Sequence, residues 1–251
     1  FFSTPTPQTA IPLRLVGSEM CIRDSGYATY ECTEPYDPEE VTSLEFGFKG
    51  SLSENTSLNA SLFRYDYTDF QVLQVVGIQT VTRNAGDATV NGLEIEALSN
   101  VNDSLAINYG LTLLDATYGE FLNTNGIQPQ LGEQQLDGNY LTNAPKVSIN
   151  LGLNYTSPMA SGASLTYRAN ASYKSRIYFS EFNEYSQDAY TIVDLNLIWE
   201  SADETMRSRF FIKNATDEDY ISGYLSSATG GGRFGQWGYP RTAGIEIQRN
   251  F

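Results

Sequence analysis

Apolar and polar residues alternate along nine segments of this chain, and this period of two constrains the fold more than any other feature. Successive side chains of a β-strand point to opposite faces, so each segment predicts a strand with one apolar and one polar face. In the clearest run, Val147, Ile149, Leu151 and Leu153 alternate with Lys, Ser, Asn and Gly. The nine predicted strands are Val41–Leu52, Ser57–Val75, Ala88–Ser99, Ser104–Thr117, Pro145–Ser157, Ser164–Tyr178, Tyr190–Glu200, Met206–Asn214 and Tyr239–Phe251.

The last predicted strand ends on an aromatic residue, Phe251. Ile245, Ile247 and Phe251 fall on one face, and Thr242 and Glu246 fall on the other. One face suits lipid and the other suits water, as in a strand of an outer-membrane β-barrel. An edge strand of a soluble β-sandwich is the alternative interpretation of this segment.

Composition agrees with strands rather than helices in a membrane. No segment approaches the roughly 20 consecutive apolar residues that a membrane-spanning helix needs, whereas a barrel strand needs only about 9 to 11 residues. The chain has 17 Tyr and 13 Phe, and its 15 Lys and Arg against 30 Asp and Glu give a net charge of -15. Nucleic-acid binding requires a basic surface, so we predict no nucleic-acid partner.

The connections between the predicted strands alternate in length. The short links, at 54–55, 100–103, 157–162 and 201–204, are rich in turn-forming residues. The long links lie around Gly77 and at 121–144, 179–188 and 215–238. Short periplasmic turns and long extracellular loops are typical of an up-and-down membrane barrel, so we expect every long link on the outer side.

The first 25 residues are excluded from this prediction. The segment Leu15–Ser25, LVGSEMCIRDS, resembles the translation of a sequencing adapter, and we expect residues 1–25 to be a non-native or disordered leader. Residues 26–251 then form the native part. This part contains one cysteine, Cys32, so it predicts neither an internal disulfide nor a CxxC site.

Four short patterns carry a resemblance to a known family. They are PEEVTSLEFGFKGSL at 38–52, NAGDATVNGLEIEA at 84–97, KNATDEDY at 213–220 and PRTAGIEIQRNF at 240–251, with APK at 144–146 between them. In this order they resemble the TonB-dependent outer-membrane receptors, which import scarce nutrients through a barrel of about 22 strands. The resemblance implies an all-β antiparallel barrel, of which this chain is the C-terminal portion of about nine strands.

The resemblance also implies a location and partners. We expect the bacterial outer membrane and its lipid, and import of a ferric siderophore, vitamin or glycan. The TonB energy-coupling complex would act through an N-terminal plug that this chain lacks. The last strand resembles the signal read by the barrel-assembly machinery, through Thr242, Gly244, Ile247 and Phe251, although Arg249 stands where an apolar residue is usual.

No catalytic constellation is predicted. The chain has no His, which excludes the usual Ser-His-Asp, Cys-His and His-based metal sites. Glu94 and Glu96 share a strand face and could form a glycosidase-like carboxylate pair, but an acidic row facing a water-filled lumen explains them without catalysis. Gly230–Gly232 lacks the Lys-Ser or Lys-Thr of a phosphate loop. We predict no enzyme activity, no cofactor and no metal.

A ligand surface is predicted in the last long link. Tyr224, Arg233, Phe234 and Trp237 surround the glycine run, and aromatic rings beside an Arg can stack on a planar ligand or bind an anionic chelate. For Trp237 and Tyr239 the alternative is the aromatic girdle of the barrel. The link at 121–144 is rich in Gln and suits a sugar or a siderophore equally.

Two classes of function remain open. One is a transporter fragment whose parent receptor is powered by TonB. The other is a self-contained structural or adhesive β protein without transport activity. Nine strands favour the fragment, because single-chain bacterial barrels have an even number of strands.

Overall fold

The computed structural model describes residues 36–76, 79–227 and 232–250. The predicted leader at 1–25, Cys32, Gly77 and Phe251 lie outside these residues, as do Gly230 and Gly231 of the glycine run. In chain order the strands are β1 (Glu40–Ser53), β2 (Thr56–Val76), β3 (Gln79–Asn100), β4 (Leu105–Tyr118), β5 (Leu122–Thr124), β6 (Glu133–Gln135), β7 (Val147–Pro158), β8 (Ser164–Lys174), β9 (Ile177–Tyr178), β10 (Ser186–Gln187), β11 (Tyr190–Glu200), β12 (Met206–Lys213), β13 (Ile221–Ser227), β14 (Gly232–Trp237) and β15 (Thr242–Arg249). A short 3-10 turn, Pro129–Leu131, lies between β5 and β6.

Nine strands form one antiparallel sheet in the order β1-β2-β3-β4-β7-β8-β11-β12-β15. These are the nine predicted strands, each paired with its neighbour along the chain, so the predicted all-β, up-and-down antiparallel architecture is confirmed. The six remaining strands form three two-stranded sheets within the long links. Within the described ranges, no helix is long and apolar enough to cross a bilayer.

The strand register gathers the apolar residues on a single face of the sheet. One row of directly paired residues crosses five strands as Phe46, Leu62, Leu93, Leu113 and Val147. A second row on the same face crosses the strands from β7 to β15 as Leu153, Ala169, Leu195, Ile212 and Ala243. Most of the large members of these rows are exposed. A soluble protein rarely exposes a continuous apolar surface of this extent, whereas lipid covers one in a membrane barrel.

The opposite face is polar, and at several places a large side chain lies over a glycine of the next strand. Phe63 lies over its direct partner Gly92, and Phe211 lies over its direct partner Gly244. A Cβ at either glycine would overlap the ring, so these glycines are required for close packing. Aromatic rings thereby cover the backbone where no side chain is present.

The largest errors in the predicted boundaries are at two strands. β3 begins at Gln79 rather than at Ala88, because Val75 and Val76 pair with Thr80 and Gln79 and extend the β2–β3 hairpin. Around the expected long link at Gly77, strand pairing therefore continues as far as Val76 and Gln79. β8 ends at Lys174 rather than at Tyr178, because Ile177 and Tyr178 leave the sheet to pair with β10.

Candidate functional site

The long links and the β2–β3 hairpin meet at one end of the sheet, where they enclose a small apolar core. Tyr118, Phe121 and Leu136 are buried, and Leu141 and Phe182 pack against them. Phe182 belongs to the 175–189 link, whereas Phe121, Leu136 and Leu141 belong to the 119–146 link. The two links are therefore packed together through side chains rather than extended separately into solvent.

Asparagine side chains join the same two links. The buried Asn123 donates from Nδ2 to Oε1 of Glu181 at 3.2 Å, and Asn139 donates to the Glu181 carbonyl at 2.9 Å. Asn183 accepts the Tyr140 N–H at 2.7 Å and donates to the Tyr140 carbonyl at 2.9 Å. Buried and half-buried amides satisfied in this way fix the relative position of the two links, which form one packed body.

The last link, at 214–241, packs against this body through aromatic rings. Tyr224 stacks on Tyr185 with ring centroids 4.7 Å apart and on Phe179 at 6.1 Å. The Ile221 N–H donates to Oε1 of Gln187 at 2.8 Å. The base of the β13–β14 hairpin is therefore held by the 175–189 link.

The four predicted ligand residues have different surroundings. Tyr224 is engaged in the packing just described, whereas Phe234 is 57% exposed and Trp237 is 67% exposed. In the hairpin, Tyr224 pairs with Gly235 and Phe234 pairs with Leu225. The side chain of Arg233 lies outside the described part of the structure. Tyr239, 84% exposed, follows the hairpin. A ligand role for Tyr224, Arg233, Phe234 and Trp237 stays a prediction.

Sequence reasoning missed a cavity of about 510 Å³ on the polar face of the sheet, beneath the packed links. The lining includes Tyr67, Phe70, Tyr118, Val90, Leu114 and Leu141. One acidic residue, Glu181, also lines the cavity, and none of the described lining residues is basic. Leu141 and Thr142 also line the cavity, and their segment runs beside the end of β4, where the Leu141 N–H donates to the Ala116 carbonyl at 3.0 Å.

Burial dominates the electrostatics of Glu181. It raises the pKa of the Glu181 carboxyl above its ordinary value, while the residue's own backbone N–H lowers the pKa and the nearby Glu184 raises it further. Among the described residues, Glu181 has no ion pair with Lys or Arg. The cavity thus combines aromatic rings, aliphatic walls and one acid without a counter-charge.

Comparison with known proteins identifies the family. Residues 4–215 match the family model described as TonB dependent receptor-like, beta-barrel. The chain belongs to the TonB-dependent receptor family. The family predicted from the four sequence patterns is thereby confirmed. The barrel architecture and the location in the bacterial outer membrane are confirmed with it.

Solved structures of such receptors have the same fold. The ferric yersiniabactin uptake receptor FyuA of Yersinia pestis superposes with a TM-score of 0.72 at 20% identity, covering 87% of this chain and 31% of that one. The siderophore receptor PiuA and the ferric preacinetobactin receptor BauA, both of Acinetobacter baumannii, give TM-scores of 0.67 and 0.66 at 22% and 20% identity. They cover 84% and 85% of this chain and 28% and 30% of their own. This chain therefore spans less than a third of these receptors. No curated protein sequence matches it.

TonB-dependent receptors are transporters, so the prediction that the chain is not an enzyme is confirmed by its family. Glu94 and Glu96 lie on the polar face of β3, exposed and opposite Ser61 and Asn59. The acidic row on a water-facing surface explains this pair. In the described ranges, no group of three or more His, Cys, Asp or Glu residues is placed to hold a metal ion.

The strand β15 is an edge of the described sheet. Ile247 is exposed on the apolar face, and Gly244 lies under Phe211 on the polar face. The Thr242 hydroxyl donates to the Pro240 carbonyl at 3.0 Å. Phe251 is outside the described residues, and the role of these four residues in barrel assembly stays a prediction.

The KNATDEDY segment anchors the entry of this last strand. Asn214, in the left-handed region with φ of 48°, accepts the Glu218 N–H and donates to the carbonyls of Glu218 and Tyr239 at 2.8 and 3.1 Å. Asp217 pairs with the Arg241 guanidinium at 3.0 Å. Asn214 thus closes a turn onto the Glu218 backbone, and Asn214 and Asp217 together hold the start of β15.

Replacing Asn214 by alanine is expected to lower the free energy of unfolding of the complete receptor by about 2 kcal/mol, because three hydrogen bonds and a residue suited to this φ are lost. Urea-induced unfolding in detergent micelles measures the change, and limited proteolysis should cleave faster within 214–241. Asp219→Ala, at an exposed site in the same corner, is the matched control. Equal stability of the two variants would contradict the anchoring role.

Proposed function

We propose that this chain is the C-terminal part of the barrel of a receptor that imports a scarce nutrient across the outer membrane, with a ferric siderophore as the favoured class. The observation that carries the proposal is the family match across most of the chain. The structures with the same fold include receptors for ferric yersiniabactin and ferric preacinetobactin, which favours an iron chelate over a vitamin or a glycan. The parent protein would be powered by TonB.

The geometry of the described residues fits this role. An exposed apolar face runs across nine strands, and the long links pack together over the polar face at one end of the sheet. A cavity of about 510 Å³ lies beneath them, within the size range of small-molecule sites. A ligand arriving from outside would therefore meet a folded surface with a preformed recess.

The domain boundaries and partners belong to the same proposal. In this proposal residues 1–25 are a non-native or disordered leader, and residues 26–251 are the C-terminal part of the receptor barrel. Outer-membrane lipid contacts the apolar face, the barrel-assembly machinery reads the last strand, and TonB acts through the plug of the complete receptor. Tyr224, Arg233, Phe234 and Trp237 contribute to ligand contact at the outer surface.

Nutrient uptake by the complete receptor tests the function. The gene is expressed in a Gram-negative host that lacks its own siderophore receptors, and the cells are supplied with radiolabelled iron as catecholate, hydroxamate or carboxylate chelates. The proposal predicts accumulation of iron from at least one chelate class and its loss when the host TonB is deleted. Labelled vitamin B12 and oligosaccharides are tested in parallel. Absence of TonB-dependent uptake for every compound would contradict the proposal.

The excised 251-residue chain is expected not to transport. Its two edge strands, β1 and β15, would present unpaired backbone groups that favour aggregation or non-native pairing. Liposomes reconstituted with the chain should show no selective, energy-dependent uptake of the compound that the complete receptor imports. Such uptake by the chain alone would instead support a self-contained β protein.

A further inference from the structure

The residues that line the cavity beneath the packed links favour a positively charged ligand group. Three aromatic rings contribute to its walls, with the Tyr67 and Phe70 centroids 5.7 Å apart and the Phe70 and Tyr118 centroids 6.2 Å apart. Among the described residues that line it, Glu181 is the only acid and none is Lys or Arg. Aromatic faces attract cations through their quadrupole, and a carboxylate adds direct attraction.

Glu181 is also held in place rather than free to turn away. Asn123 donates to its Oε1, and Asn139 fixes its backbone carbonyl. Phe182, the next residue, is packed against the apolar core that Tyr118 shares. The packed links therefore hold the carboxyl group at the cavity, where its burial disfavours the charged form.

We propose that this cavity binds a cationic group of the imported ligand, such as a primary ammonium or an amidinium, between the aromatic rings and the Glu181 carboxylate. The proposal rests on the receptor function argued above and specifies one feature of its substrate. An anionic part of a chelate would be repelled, because no basic residue in the lining offsets the carboxylate. A metal ion would find a single carboxylate and no second acidic side chain in the lining.

The volume and the walls describe the group that fits. About 510 Å³ is enough for a ring with a short amine substituent and for further parts of the ligand beside it. The walls also contain Val90, Leu114 and Leu141, which favour an apolar body next to the cation. The site thus suits an aromatic or aliphatic amine carried as a side group of a larger molecule.

Small probes test the inference in the complete receptor. Benzylamine, benzyl alcohol and benzoate are titrated against the receptor in detergent micelles at neutral pH, and ligand-observed NMR gives their Kd values. We expect benzylamine to bind at least about tenfold more tightly than benzyl alcohol, because a desolvated cation–aromatic contact combined with a charged hydrogen bond is worth roughly this factor. Benzoate should bind weakest.

Two substitutions separate charge from shape. Glu181→Gln keeps an oxygen that accepts from Asn123, and it should weaken benzylamine binding by about tenfold while leaving benzyl alcohol unchanged. Glu184→Gln is the matched control, because Glu184 lies in the same link, bonds to Asn125 and does not line the cavity. We expect it to change benzylamine affinity by less than about twofold.

Three results would overturn the inference. They are equal affinity for benzylamine and benzyl alcohol, unchanged benzylamine binding by Glu181→Gln, and benzylamine binding only after deletion of the plug, which would mean that the plug itself fills the cavity. The uptake assay is independent of these probes. Chelate uptake without selective benzylamine binding contradicts the cavity assignment alone, whereas selective binding without uptake of any compound contradicts the receptor function.

Discussion

Replacing Gly86 by alanine is expected to lower the free energy of unfolding of the complete receptor by about 3 kcal/mol. Gly86 has φ of 98°, a backbone conformation that residues with a Cβ rarely adopt. A Cβ at this position would also overlap the carbonyl oxygen of Glu120, at the start of the 119–146 link. The link would have to move away from β3, and its backbone hydrogen bond from Gly119 to the Asp87 carbonyl would be lost.

Urea-induced unfolding of the receptor in micelles measures this effect, and proteolysis within 119–146 reports the local change. Gly47→Ala is the matched control, because the nearest atom to a Cβ at Gly47 is the Ala60 carbonyl oxygen at 3.9 Å. The control should be neutral or slightly stabilising, since alanine has less conformational freedom to lose on folding. If the two variants have the same free energy of unfolding, the close approach of the Glu120 carbonyl to Gly86 has no structural role.

Replacing Leu153 by arginine is expected to lower the stability of the barrel by about 3 kcal/mol, because the charge would face the bilayer interior. Leu153 lies in the middle of β7 on the apolar face, directly paired with Ala169 and Ile107. Reversible unfolding of the complete receptor in phospholipid vesicles gives the value. In a detergent that solvates the guanidinium, the same substitution should lower the stability by a smaller amount.

The neighbouring residue supplies the control. Asn154 lies on the polar face, and Arg168 of β8 donates to its Oδ1 at 2.9 Å. Asn154→Arg places the same charge at the same height on the face that we assign to the lumen, and we expect it to cost less than about 1 kcal/mol. A larger loss for Asn154→Arg than for Leu153→Arg would reverse the assignment of the two faces.

The sequence predicts the sheet well because its strands follow from a local pattern. Alternation places Ile149, Leu151 and Leu153 on one face without knowledge of any partner strand, and the short turns then join each strand to the next. The corner at Asn214 was also predictable, since Asn tolerates the left-handed region and bonds to nearby backbone groups.

The packing of the long links was not predictable from such patterns. Glu181 bonds to Asn123, 58 residues away, and Tyr140 bonds to Asn183, 43 residues away. No periodicity specifies these pairs, because each link folds against another link rather than along a regular lattice. The cavity depends on them, so its lining could not be identified before the structure. For the same reason, the sequence did not indicate that Tyr224 stacks on Tyr185.

The most direct test of the central claim is to sequence the source locus upstream of the codon for Gly26. We predict an open reading frame that continues into about thirteen further barrel strands, a plug domain and a signal peptide. A start codon beside Gly26 would contradict this proposal, because the chain would then be a small stand-alone β protein and not part of a longer receptor.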